Sequence, residues 1–139
     1  MRFEDFIRDG QARRGNKDAN LAKSLFLKTM KDRDFFDDLE VNENSARKLV
    51  SNYYDFLISI LEAIAVLDGY KVYSHEAFTY YLLEKGQEKK SRNFERFRKV
   101  RNSINYYGKD IDVKEAAELV KEMKQLIEET IAALENKIK

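Results

Sequence analysis

Residues Ser45 to Asp68, SARKLVSNYYDFLISILEAIAVLD, place apolar side chains at Leu49, Val50, Tyr53, Tyr54, Leu57, Ile58, Ile60, Leu61, Ile64, Val66 and Leu67. A helix apolar over most of its circumference belongs in the middle of a bundle, touching neighbours on several sides. Its one polar line, Asn52, Asp55, Ser59 and Glu62, follows the three-and-four spacing of a single helix face. Such a line normally faces water; covered by another helix or a second subunit, it becomes the wall of a cleft.

The rest of the chain fits around this helix. Proline is absent and glycine occurs at only five positions, 10, 15, 69, 86 and 108, so helix stops are few and readable. Alternation with period two is not sustained anywhere, whereas three-and-four apolar spacing recurs. The first helix is expected from Arg2 to Asp9, and a second from about Lys17 to Arg33 turns Leu21, Leu25, Leu27 and Met30 inward. Ser74 is placed to cap a fourth helix that stops near Gly86, and Ser91 to cap a fifth that ends at Gly108. Asp112 and Glu115 form a variant capping box for a long last helix, with Val113, Ala117, Val120, Ile127, Ile131, Leu134 and Ile138 on its apolar stripe. Short connections favour packing between successive helices, so the expected fold is an all-α up-and-down bundle of five to six helices. At 139 residues with 43% hydrophobic content the chain supports one core, and residues 1–139 are read as one domain.

Composition removes several function classes. Without cysteine there are no disulfides, thiolate metal sites or cysteine nucleophile. With one histidine, His75, and only scattered acids, neither a metal nor any other cofactor is expected. The acids in MRFEDFIRDG do not suit a secretory leader, and the apolar run from Phe56 to Leu67, broken by Ser59 and Glu62, is short for a membrane span. A cytoplasmic protein is the expectation.

Overall charge is nearly balanced at +1, but its distribution is not even. Lys85 to Lys109 hold nine bases and two acids, leaving 17 bases against 23 acids elsewhere. This asymmetry concentrates positive field on the fifth helix and its approach loop, as phosphate binding requires. There, RKVRNSINYYGK (residues 98–109) mixes bases, amides and paired tyrosines. Phe97, Val100, Ile104 and Tyr107 form the expected packing stripe. Arg98, Arg101 and Asn105 lie beside it, and Asn102 and Tyr106 on the opposite flank. An arginine at the edge of such a stripe lays its stem on apolar surface and presents a planar fork of donors to phosphate oxygens. Neighbouring Asn and Tyr groups supply neutral hydrogen bonds and stacking for a base. The plainer reading, a solvated charged face, has equal standing on these grounds.

At these residues the chain resembles the HEPN domain family, small helical proteins named for nucleotide-binding members in higher eukaryotes and prokaryotes, in the form of a stand-alone archaeal or bacterial type. Arg101-Asn102 matches the start of the family's Arg-polar-His signature, and YYDFLISILEAIAVLDGYKVYSHEAFTYYL (residues 53–82) resembles its tyrosine-rich helix, glycine turn and Ser-His helix start. The resemblance covers the chain from about Ser45 onward. It implies a nucleotide- or RNA-binding protein, a homodimer with the arginine facing a cleft between subunits, and a toxin–antitoxin pairing with a minimal nucleotidyltransferase. The sequence departs where the family's nuclease histidine stands: Asn105, Tyr106 and Tyr107 occupy those positions. Asparagine transfers no proton, and an ordinary tyrosine, with a pKa near 10, is poorly matched to neutral-pH chemistry. The expected binding residues are therefore Arg98, Arg101, Asn102, Asn105 and Tyr106, with no catalytic group assigned. Two alternatives stand beside this binder: a metal-independent endoribonuclease using Arg101 and a tyrosine, and a non-catalytic protein-interaction bundle in which Arg101 pairs with an acid such as Asp55 or Glu62.

Overall fold

The computed structural model describes residues 1–138. Six helices and one small sheet follow in the order α1 (Phe3–Arg8), β1 (Ala12–Arg14), α2 (Ala19–Phe36), α3 (Ala46–Leu67), β2 (Tyr70–Val72), α4 (His75–Glu84), α5 (Glu88–Tyr107) and α6 (Val113–Ile138). The fold is an all-α bundle, as the apolar spacing predicts.

The apolar helix α3 sits at its centre, packed against α2, α5, α6 and β2. Thirteen of its residues are buried, and one core cluster draws side chains from every helix. By length and composition α3 is apolar enough to cross a membrane, which the sequence reading did not expect, because its window includes Leu49, Val50 and the tyrosines upstream of Phe56; 67% of that window is buried inside the bundle. The long stripe of α6 covers one side of α3 with Leu119, Met123, Ile127, Ile131 and Leu134, while Ala117 and Ile138 stay exposed.

The line of α2 that meets α3 differs from expectation. Ala22 and Thr29 are buried, and Leu25, Phe26, Met30 and Phe36 pack against the core, but Leu21 and Leu27 point outward. Small side chains at Ala22 and Thr29 let the two helices approach, rotating the contact line away from the larger leucines. Arg33 completes this seam, its stem largely covered and its guanidinium paired with Glu128 of α6 and with Asp34 and Asp37.

The ribbon β1–β2 was not expected, since three-residue strands are too short to display alternation. Ala12, Arg13 and Arg14 lie opposite Val72, Lys71 and Tyr70 in an antiparallel pair. Gly69 makes it possible: it reverses the chain after α3 at φ +88°, and an added Cβ would stand 3.1 Å from the Gly15 carbonyl oxygen. The pairing fixes α1 on the aromatic face of α4, where Phe3 meets Tyr70 and Tyr81 edge-on.

Ser91 does not cap α5. The helix begins three residues earlier, and Ser91 lies buried within it, donating to the Thr79 carbonyl at 2.7 Å. Ser74 does occupy the N-cap position of α4, in extended backbone, but without a side-chain capping bond. At its other end α5 stops at Gly108 in the left-handed region, φ +64°, as a C-terminal glycine should.

Candidate functional site

Arg101 sits on α5 where that helix faces the middle of α3. Only 13% of its side chain is exposed. Its Nη2 donates to Asp55 Oδ1 at 3.2 Å, and Nη1 lies 3.5 Å from the Tyr106 hydroxyl. The guanidinium is held between two rings, 5.1 Å from the Tyr54 centroid and 5.7 Å from that of Tyr106. Stacking on aromatic faces while offering a fork of donors is the use to which arginine, rather than lysine, is suited. Its Nε is buried without a hydrogen-bond partner.

Tyr54 is the floor of this arrangement. Fully buried, it stacks on Phe94 and its hydroxyl lies 3.0 Å from His75 Nδ1. Burial raises its pKa, against the pull of Arg101 and Arg98, so the phenol stays neutral. His75, the first residue of α4, is likewise held neutral: burial lowers its pKa, Arg101 lowers it further, and Asp55 only partly opposes them. Asp55, in contrast, has its carboxyl raised by burial and pulled back by Arg101. One cluster thus joins α3, α4 and α5 around a single guanidinium.

Because folded His75 binds protons less readily than the unfolded chain, the stability it contributes is complete above its ordinary pKa of 6.5 and is lost as the pH falls through that value. Urea midpoints are therefore expected to fall between about pH 7.5 and pH 5.5 in the native protein and to change less in His75→Gln. The comparison isolates His75 from Asp55 and Glu62, whose raised carboxyls titrate with the opposite sign. Parallel curves for the two proteins would show that His75 is not so placed.

Beside the cluster runs an open groove of about 820 Å³ between the first half of α3 and the end of α5. Asn52, Asp55, Ile104, Asn105 and Tyr106 line it, and Asn44, Arg47 and Lys48 form its far rim. Asn105 Oδ1 accepts from the Ser51 hydroxyl at 2.8 Å, which leaves the amide donors of Asn105 unused among the described residues. Asn52 Nδ2, also at the groove, is buried without an acceptor. The buried Asn52 donor, whose missing partner costs about 1–3 kcal/mol, and the exposed amide of Asn105 stand beside Arg47 and Lys48 as donors that an oxyanion can use.

The structure thus brings Asn105 and Tyr106 together at one groove, with Arg101 behind its wall against Asp55 and Tyr106. Arg98 stands nearby but is committed to Glu95 at 2.6 Å, and Asn102 takes no part in these contacts. Tyr107 departs from the expected packing stripe: it is 77% exposed, because α5 extends past its last contact, Ile104. The concentrated positive charge of this region is also partly neutralised in space, through Arg96–Glu122, Arg98–Glu95, Arg101–Asp55 and Lys85–Asp68 pairs. Sequence reasoning missed Tyr54 and His75 as part of the Arg101 cluster and Arg47 and Lys48 as the rim of the groove. It did mark Asn52 and Asp55 as a conditional cleft wall, and named Asp55 as a partner for Arg101.

Among the described residues, no group of three or more His, Asp or Glu side chains is placed to hold a metal. Fold and site together define an all-α bundle with a polar, base-rimmed groove beside a ring-held arginine. Comparison of the chain with family models, with curated proteins and with solved structures gives no match.

Proposed function

We propose that the chain is a nucleotide- or RNA-binding helical protein of HEPN-like type, with the α3–α5 groove receiving a phosphate next to Arg101 and a base on Tyr106. The observation that carries this reading is the half-satisfied guanidinium: Arg101 lies behind the groove wall, and its carboxylate partner Asp55 is 53% exposed on the groove's own surface. An exposed carboxylate is a replaceable partner, and a phosphate brings more acceptors in the same geometry. Arg47 and Lys48 extend the positive rim, and Tyr106, 69% exposed, offers a face for stacking. The dimer and nucleotidyltransferase pairing implied by the resemblance belong to the same proposal.

Asp55 acts here as an occupant that phosphate displaces. Fluorescence anisotropy with a labelled single-stranded RNA is expected to show salt-dependent binding, tightened up to about fivefold in Asp55→Ala, the range of an exposed ion pair. Unchanged or weaker binding by Asp55→Ala would place the Arg101–Asp55 pair in a structural role. No binding at low salt would remove the proposal.

A second reading, metal-independent RNA cleavage, is favoured by two contacts: the Tyr106 hydroxyl near Arg101, and neutral His75 linked to Arg101 through Tyr54. A neutral imidazole is a competent base, whereas Tyr54 is held protonated by burial. Intact RNA after prolonged incubation in the same binding assay leaves the binder alone.

A further inference from the structure

A second pocket lies at the opposite end of α3, outside the groove. Asp68, which ends α3, is thirteen residues beyond Asp55 and so roughly 20 Å along the helix axis. Its carboxylate accepts from the Tyr81 hydroxyl, from Lys137 Nζ at 2.9 Å and from Lys85 Nζ at 3.0 Å. Burial alone would raise this carboxyl, but those three donors hold it below the ordinary aspartate value. The clamp ties α4 and α6 to the end of α3.

The clamp leaves an imbalance. The pocket beside it, of about 210 Å³, is lined by three lysines, Lys85, Lys90 and Lys137, and by one acid, Asp68. Each ammonium has three donors, and Lys85 and Lys137 each show one bond to Asp68. Lys90, half-buried on α5, has no acid within ion-pair distance among the described residues. The Thr130 hydroxyl donates to the Leu126 carbonyl, and its oxygen and the Gln87 amide are neutral acceptors only, so the ammonium groups outnumber the acidic partners in the pocket. The opposite wall is apolar, made by Leu61, Ile64, Leu82 and Ala133. An apolar wall facing a few convergent charges is the usual make-up of a small-molecule site, and the volume is below the roughly 300–1,000 Å³ typical of such pockets.

We propose that this pocket binds a small aliphatic carboxylate, its head on Lys90 with Lys85 and Lys137 and its chain on Ile64, Leu82 and Ala133. The head gives the ammonium groups a charged acceptor in place of water, which reaches Lys85 and Lys137 at 43% and 42% exposure. The chain displaces water from the aliphatic wall.

Isothermal titration of the intact protein with sodium hexanoate tests this, with acetate and hexan-1-ol as comparators at equal ionic strength. Hexanoate is expected to bind saturably at one site, and acetate and hexanol much more weakly. Lys90→Gln, which leaves the Asp68 clamp intact, is expected to weaken hexanoate about tenfold, the scale of one charge-assisted bond. Ala133→Leu fills the pocket with a good helix former and is expected to abolish binding while the protein stays folded by circular dichroism. Acetate or hexanol matching hexanoate, or undiminished binding to either variant, overturns the assignment.

Discussion

Arg101→Ala is expected to weaken binding of single-stranded RNA by about ten- to hundredfold, the loss that follows removal of a donor worth about 1.5–3 kcal/mol to a charged acceptor. The guanidinium is largely buried, fixed between Tyr54 and Tyr106, and so already ordered before a phosphate arrives. Preorganisation of this kind removes an entropy cost that a flexible surface lysine still has to meet. Lys89→Ala, on the exposed start of α5 and away from the groove, should lose no more than its share of the general field. Anisotropy titrations at several salt concentrations separate the two, since loss of one phosphate contact lowers the salt slope by about 0.7 for a single strand. Equal losses for both substitutions would assign the affinity to diffuse charge. The arginine variant should remain folded, because the Asp55 carboxylate it abandons is already half in water.

The largest effect on stability is expected at Phe94. This ring is fully buried, stacked on Tyr54 at 5.9 Å between centroids and edge-on to Phe78 at 6.2 Å. Phe94→Ala should cost about 3–5 kcal/mol in urea unfolding, through lost burial and the cavity left behind. Tyr107→Ala, at the exposed end of the same helix, should stay within about 0.5 kcal/mol. A cost below about 1 kcal/mol at Phe94 would contradict the packing of α5 on α3 and α4. Because Phe94 supports the ring on which Arg101 rests, the same substitution should also weaken RNA binding.

What could be read in the chain follows from the length over which each signal accumulates. The 22 residues of α3 and 26 of α6 display their spacing many times over, so the bundle was legible. The three-residue strands repeat nothing, and their pairing depends on Gly69 and Gly15 meeting, a contact between distant segments. Ser91 looked like a cap because a serine before an apolar run often is one; only the distant Thr79 carbonyl reveals its other use. The site divides in the same way. Arg101 and its neighbours were legible as an unusual local mixture, and Asp55 as a polar residue on an apolar helix. That His75 and Tyr54 reach the same guanidinium depends on how α4 crosses α3, which nothing local encodes.

The two strands of the ribbon are more than fifty residues apart in the chain, with all of α2 and α3 between them. Closing so long a loop is entropically expensive until the helices it encloses are in place. The α2–α3 and α4–α5 pairs, adjacent in sequence, can form from local contacts, whereas the ribbon is expected to join late and draw α1 in with it. Residues 1–14 are therefore expected to behave as a clasp, with backbone amides of the ribbon exchanging hydrogen sooner than those of α3, although Phe3, Phe6 and Ala12 are seated in the same core.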